Sequence, residues 1–528
     1  MTRTLGPLDR LAARAEELAG AWGARARAST TLGRERAILR LFGVHGLDRD
    51  GRPLAWSVVG RHLGGSPARL AEGIALPFAM ALLEYDLGPQ QLALDIASGA
   101  VDLSLEVDLL REPDRRAVAE AEASRLGDAA LDRIDANRTA RRELLDVLGD
   151  APRPWVGLPV REPTATAAFV EIGHLVRAGV DLLRVEIPVG QELAERLERV
   201  GIEPTRWIPP ESAIRIASGG DEDVAPTGSQ RGMADLRHVL DEAAAERHRY
   251  VRLATAAPSL WAPEQAVVAA FERVDVVEAD PISEVVDGVD PARALADHAF
   301  ARALLRRAGS LVLLGAGPLA VAPDVSRGEP SDTTTRAGRA LALQALAVAL
   351  TRDDGLPADQ VLVGVIPPWL LDERDGAVHA LVGVAVRDAI FAGHPFAYDE
   401  PDSLTSSAAA WPFLVSASIP VSGAALIVRQ PSARATDGEV EVVRAAASSA
   451  LAVARVRGSG KLTDDAAQLA RSVVAAAVAT LDALADDGWS SILGDPVGGG
   501  ERGRLGRDGV AERTESFDPL AAGRVGTA

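Results

Sequence analysis

A (β/α)8 TIM barrel is the fold that residues 151–435 predict, and three features of the pattern carry the prediction. Short apolar runs recur eight times between Trp155 and Arg429. Stretches with helical spacing separate them, long enough to serve as crossovers between parallel strands. The runs are near-continuously apolar, as in parallel strands buried on both faces. A doubly wound open sheet is the alternative arrangement of the same units. In a barrel the chemistry sits at the C-terminal strand ends. Here several of those ends read Pro188-Val189-Gly190, Ala256-Ala257-Pro258, Gly315-Ala316-Gly317 and Pro367-Pro368, without lysine or cysteine.

Ahead of the barrel, residues 1–150 read as a helical accessory region. Leu and Ala recur at helical spacing over 8–28, and a second helix starts at Thr31 with Ile38, Leu39, Leu41 and Phe42 as its apolar stripe. Helices are also expected over 70–87 and over 89–98, the latter opened by Pro89 in its first turn, and over the charged run 113–148. This third reads as all-helical. Candidate strands follow at 155–160, 182–187, 250–255, 274–280, 310–314, 361–366, 396–400 and 424–429. Between them, helical spacing covers 165–178, 233–247, 263–273, 291–308 and 335–351. Residues 201–230, rich in Gly, Pro and Ser, read as one long loop of the kind that is usually functional or mobile. Beyond the barrel, 436–493 holds amphipathic helices over 439–457 and 463–486. The Gly/Arg-rich tail, 494–528, is expected to lie extended over a surface or a partner.

Composition narrows the function classes. The 528 residues are 47% hydrophobic but only 4% aromatic, so the core must be built mainly from Ala, Leu and Val. With no cysteine there are no disulfides, thiolate metal sites or cysteine nucleophiles. A net charge of −19 disfavours the nucleic-acid backbone, where a basic face supplies most of the affinity. The N-terminus lacks an apolar signal core, and no long apolar run free of charge and proline reads as a membrane span, so a soluble cytoplasmic protein is expected. Of 56 basic residues only Lys461 is a lysine, in a loop outside the barrel. Imine chemistry needs an amine, so a pyridoxal cofactor would take its lysine from another chain.

Few motifs carry chemistry. Gly315-Ala316-Gly317-Pro318-Leu319-Ala320 has the outline of a dinucleotide fingerprint, but Pro318 stands where the helix should begin, and a tight barrel turn is the better reading. None of the eight histidines has a metal-binding spacing, and His394 falls on the barrel face opposite an active site. Glu278 and Asp280 close the fourth candidate strand, where a two-residue period puts them on one face; Asp399 and Glu400 close the seventh. Carboxylates at such ends can be acids, bases or ammonium acceptors, or can simply pair with Arg252 or Arg429. Ser229 lies in a small loop before the helix near Met233, suiting either a phosphate or an ordinary helix cap.

Ordered strings add a resemblance. Thr30-Thr31-Leu32-Gly33-Arg34-Glu35-Arg36-Ala37 with Arg40-Leu41-Phe42-Gly43-Val44, then Gln90-Gln91-Leu92-Ala93 and Ile96-Ala97-Ser98-Gly99, resemble the α subunit of lysine 5,6-aminomutase. So do Tyr250-Val251-Arg252-Leu253, Glu272-Arg273-Val274-Asp275, the tail from Gly498 to Val510, and Phe517-Asp518-Pro519. The resemblance implies a barrel with accessory helices and a radical 1,2-shift of an amino group on lysine or a related amino acid. It implies adenosylcobalamin and pyridoxal phosphate as cofactors. It also implies a hetero-oligomer, in which a smaller β subunit binds the cobalamin and carries the aldimine lysine.

The pocket departs from that pattern. The arginine and serine the family keeps after its second strand align with Ile187 and Glu192, leaving Gly190 and Gln191 as the retained cofactor candidates. The phosphate-side serine aligns with Pro258, with Ser259 adjacent; the ring-stacking tyrosine aligns with Ile282 or Ser283, and the arginine after it with Asp287 or Gly288. An Asp-Asn pair aligns with Pro318 and Leu319, and the lysine that meets the substrate carboxylate aligns with Ala397. The candidate site is therefore Gly190, Gln191, Ser229 and Ser259 for the cofactor and Glu278, Asp280 and Asp399 for the substrate, with no metal ligand. The expected function is an α-subunit-like aminomutase component with a diverged pocket. The alternatives are a non-catalytic or regulatory partner of a cobalamin-binding subunit, and a stand-alone barrel hydrolase or lyase.

Overall fold

The computed structural model describes residues 6–46, 48–49, 53–63, 66–151, 155–160, 165–185, 230–256, 262–282, 291–315, 333–364, 386, 390–391, 393–398, 425–427, 464–488, 510–514 and 517–520. The accessory region runs α1 (Pro7–Ala28), β1 (Ser29–Thr31), α2 (Leu32–Leu41), α3 (Leu54–Leu63), α4 (Pro67–Glu72), α5 (Ala75–Tyr85), α6 (Pro89–Ser98), α7 (Ser104–Leu109) and α8 (Pro113–Leu148). Thr31 caps α2 by accepting the Arg34 amide at 2.9 Å, satisfying one of the amides a helix start leaves bare. The single helix expected over 70–87 is two, because Gly73 adopts φ +75°, a backbone state that ends α4. The region is not all-helical either. Strand β1 interrupts it and pairs antiparallel with β10 (Val510–Glu512).

From β2 (Val156–Val160) the chain alternates. It continues through α9 (Ala165–Ala178), β3 (Leu182–Val185), α10 (Gln230–Arg247), β4 (Arg252–Ala256), α11 (Ala262–Phe271), β5 (Val276–Glu278) and α12 (Pro291–Ala308). Then come β6 (Leu311–Leu314), α13 (Thr333–Asp353), β7 (Val361–Gly364), β8 (Phe396–Tyr398), β9 (Ala425–Ile427) and α14 (Asp464–Asp487). Strands β2 to β9 pair in parallel in sequence order, and β9 returns to β2 through Val156↔Leu426 and Gly157↔Ile427, closing the ring. The expected barrel is therefore present.

Side-chain alternation separates its two faces. Leu182, Ala254, Val276, Leu313, Leu362 and Ala397 form a small cluster inside the ring, over Trp155. Leu183, Val185, Leu253, Val277, Val312, Leu314, Val361 and Val363 belong to the larger core shared with the helices.

Buried charge joins the accessory region to both ends of the same two barrel helices. At their C-termini, where helices leave carbonyls without partners, α8 supplies the donors. Asn137 Nδ2 donates to the Phe271 carbonyl at 2.6 Å, and Arg141 Nη1 donates to that of Ala308 at 2.8 Å. Arg141 also donates to the Val274 carbonyl at 2.9 Å and pairs with Asp275 at 2.9 Å. The Asp275 carboxylate further accepts from Tyr250 Oη at 2.8 Å, Leu253 N at 2.8 Å and Arg237 Nη1 at 3.1 Å. Burial and this carboxylate push the Tyr250 phenol up, so it stays a donor.

At the N-terminal ends, α2 takes over. Arg36 and Arg40 of α2 reach both oxygens of Glu264 in α11, at 2.8 and 3.4 Å. Thr31 donates to Asp297 of α12, which faces Arg293 at 3.5 Å. Desolvation outweighs Arg293, Thr31 and Arg36, so the Asp297 carboxyl is pushed up to about 6.

The C-terminal elements lie on the same body. Helix α14 packs along α13 and α1, and a Cβ at Gly338 of α13 would stand 2.8 Å from the Ala477 amide. Residues 467–486 of α14 are long and apolar enough to cross a bilayer by length and composition. The described part of the tail lies on this chain's own accessory region. After β10, Arg513 N donates to Ala28 O at 2.9 Å, and Asp518 faces Arg34 at 3.5 Å.

Replacing Arg141 by Met strips α8 of its contacts with Asp275 and two carbonyl groups, and should cost about 3 kcal/mol of unfolding free energy. Urea denaturation followed by circular dichroism measures it; a loss below about 0.5 kcal/mol, the scale of an ordinary surface change, would contradict the role. For Asp297 the sign follows from a folded pKa of about 6 above the usual value of 3.8. Its contribution to stability is fully present below pH 4 and is lost as pH rises through 6, an effect of about 3 kcal/mol. Asp297→Asn removes the titration while keeping an acceptor for Thr31. The stability difference, wild type minus variant, should therefore fall between pH 4 and 6 and level off above 7; a difference independent of pH would contradict the assignment.

Candidate functional site

Parity and register place the chemistry-bearing residues of the barrel interior in its upper layer. Arg184 follows Leu182 on the inward face of β3 and stands level with Ala254 of β4. Glu278 closes β5 two residues beyond inward-facing Val276 and pairs in register with Ala256 and Leu313. With β4 presenting only the small side chain of Ala254 level with Arg184, the Arg184 guanidinium spans β4 and donates to Glu278 Oε2. The pair is asymmetric in exposure. The Arg184 side chain is 4% exposed and that of Glu278 15%.

The adjoining ends of β6 and β7 present glycines among the described residues. Gly315 follows the end of β6, and a Cβ there would lie 3.2 Å from Glu278 Oε1. Gly364 ends β7, where a Cβ would lie 2.8 Å from the Leu314 carbonyl and 3.2 Å from Gly315 Cα. Only glycine allows this approach of the two strand ends. Gln344 of α13 anchors the rim from behind by donating to the Gly364 carbonyl at 2.6 Å.

Two of the sequence-predicted residues, Glu278 and Asp280, are described, and they make different contacts. Glu278 faces the barrel interior, and its partner is Arg184 rather than Arg252; Arg429 lies outside the described residues. Arg252 lies at the barrel floor, paired with Asp150 at 2.5 Å and stacked on Trp155 at 3.6 Å. Asp280 lies two residues past the end of β5, after Ala279, whose amide still donates to the Leu313 carbonyl of β6 at 3.2 Å. Its Oδ1 accepts the Ile282 amide at 2.9 Å, a local turn contact of a 1% exposed residue. Gly190, Gln191, Ser229, Ser259 and Asp399 lie outside the described residues. Arg184 was missed by sequence reading, since an arginine inside an apolar run of an arginine-rich chain carries no signal of its own.

Seven histidines are described. His45, His174, His238 and His248 are exposed. Burial lowers His62 to about 4 and His298 to about 3, and lowers His394 as well. His394 accompanies Val361 and Ala358 at the N-terminal side of the strands, away from the mouth. His379 lies outside the described residues. Among the described residues no group of His, Asp and Glu could hold a metal ion.

The described mouth does not make a pyridoxal phosphate site by itself. Its one guanidinium is matched by a carboxylate, it holds no amine, and Lys461 lies outside the described residues. At two positions where the resemblance expects a cofactor or substrate contact the structure shows apolar side chains. Ala397 is fully buried inside the ring, and Ile282 is buried in the outer core.

Comparison with known proteins agrees with this architecture. A family model described as the D-lysine 5,6-aminomutase TIM-barrel domain of the alpha subunit matches residues 7–401. The lysine 5,6-aminomutase alpha subunit of Acetoanaerobium sticklandii is 25% identical over 374 residues, covering 70% of this chain and 66% of that one. That of Fusobacterium nucleatum is 25% identical over 376 residues, covering 71% and 66%. The match therefore spans just under two thirds of each relative's length. Among solved structures, a dihydropteroate synthase from Coxiella burnetii aligns at 11% identity with a TM-score of 0.34, over 57% of this chain and 94% of that one. One from Xanthomonas albilineans aligns at 17% and 0.32, over 60% and 95%. With the accessory helices and seven of the eight barrel strands, β2 to β8, inside the matched span, this chain belongs to the family of the lysine 5,6-aminomutase α-subunit barrel domain.

Proposed function

We propose that this chain is the barrel component of a two-subunit, cytoplasmic aminomutase, an isomerase that moves an amino group between neighbouring carbons of a small amino acid. Family membership supplies the reaction class. The observation that carries the division of labour is the absence of an amine from the described mouth, in a sequence whose single lysine lies past the last barrel strand. Imine chemistry with a carbonyl cofactor needs a lysine, so a partner subunit must bring it, together with the cobalamin.

In this reading the barrel encloses the substrate and positions it. Its floor is apolar at Trp155, and its walls are Leu182, Val276, Leu313 and Leu362. Arg184 and Glu278 are the charged groups of the described interior at mouth level.

The second reading, a non-catalytic or regulatory partner of a cobalamin-binding subunit, has one observation in its favour. Ala397 is a methyl group inside the ring where the resemblance places a cation for the substrate carboxylate.

Co-purification with a cobalamin-binding partner followed by pyridoxal phosphate titration separates the two. The active reading predicts the visible absorbance of an imine in the complex and none in the isolated chain. A complex that forms without that absorbance would leave the non-catalytic reading standing.

A further inference from the structure

The described part of the tail is attached mainly through its backbone. Strand β10 pairs with β1 over three residues, Ser29↔Glu512, Thr30↔Ala511 and Thr31↔Val510. Beyond it, Arg513 N donates to Ala28 O at 2.9 Å and Arg513 Nη2 to Arg27 O at 3.0 Å. Thr514 gives its amide and its hydroxyl to Ala71 O, at 3.0 and 3.1 Å. This is attachment by strand addition. Side-chain burial adds little to it. Of the described residues 510–514 and 517–520, Pro519 alone is buried, and Ala511, Phe517 and Leu520 are half-buried against the core. The ionic contact is loose: Asp518 lies 3.5 Å from Arg34 and 3.8 Å from Arg513, whose Nε is buried without a hydrogen-bond partner. A small cavity remains between Arg513 and Phe517 of the tail and Thr30, Arg34, Glu35 and Gly73 beneath them. A segment with so few buried contacts opens at a lower free energy than the strands of the ring.

What it sits on is a junction. Thr31, fully buried and in register with Val510, caps α2 through the Arg34 amide and donates to Asp297 of α12. Thr30 donates to Glu35, whose other oxygen accepts the Ile74 amide at 2.7 Å, just ahead of α5. Arg34 faces Asp518 and lies over the Phe300 ring of α12 at 5.3 Å. Both strands of the small sheet pack on α4 and α12, and α12 follows β5, the strand that carries Glu278.

We propose that residues 510–514 and 517–520 form a releasable strap. Docked, it fixes β1 and, through Thr31 and Arg34, holds α2 against α12. Released, it loosens that hold while the barrel stays folded. The strap thus couples the C-terminal tail to the helix behind the described mouth, and it stands independently of the aminomutase reading.

Hydrogen–deuterium exchange of the full-length chain, read by peptide mass spectrometry, tests this. In the wild type the strap should exchange at least a hundredfold faster than β6 and β7. Asp518→Ala removes the ionic contact. Gly127→Leu acts from α8, where a Cβ would already stand 3.2 Å from the Pro519 carbonyl, and leucine suits the helix interior. Each variant should speed exchange of the strap at least fivefold and, with it, that of β1 and the first half of α12, leaving β6 and β7 unchanged. Gly127→Leu carries the test if Asp518→Ala does not fold, and the wild-type comparison needs no variant. A wild-type strap that exchanges no faster than β6 would overturn the proposal. So would variants that leave the strap within twofold of wild type, or that free it without affecting β1 and α12.

Discussion

The Asp275 carboxylate is the interaction on which the architecture turns. It is 4% exposed and takes Tyr250, the Leu253 amide and the guanidinium groups of Arg237 and Arg141. Those groups come from α8, α10, β4 and its approach, so one side chain ties the accessory region to the barrel floor. A buried charge without such partners would be strongly destabilising. Each of these elements is therefore held where it can keep Asp275 satisfied. Helix α8 then completes the C-termini of α11 and α12, and α2 grips their N-terminal ends through Glu264 and Asp297. The two helices on either side of β5 are thus fixed at both ends, and β5 is the strand that delivers Glu278 to the mouth.

That arrangement fixes the strand that carries the charged group of the described mouth. In the described interior the upper layer holds the Arg184–Glu278 ion pair beside bare backbone at Gly315 and Gly364. Such a mouth can enclose, orient and discriminate among small ligands. The amine for imine chemistry is absent from it, consistent with a family whose named members are subunits.

Much of the barrel was legible because parallel strands buried on both faces must be apolar throughout, and the eight runs could be read directly. The accessory helices were legible where Pro and Thr marked their starts, at Pro89 and Thr31. The break at Gly73 was not, because one glycine inside a helical pattern does not announce its backbone state. The pairing of Ser29–Thr31 with Val510–Glu512 was not, because three-residue strands nearly 500 positions apart carry no periodicity. At the site, Glu278 could be found as a carboxylate closing a strand. Its partner could not, since Arg184 reaches it across an intervening strand whose register only the closed ring sets.

The claim that this barrel receives its reactive amine from another subunit is tested most directly by borohydride trapping of the complex with pyridoxal phosphate, followed by peptide mass spectrometry. The account predicts the reduced pyridoxyl group on a lysine of the partner subunit, with Lys461 unmodified. A pyridoxyl group on Lys461 would contradict it.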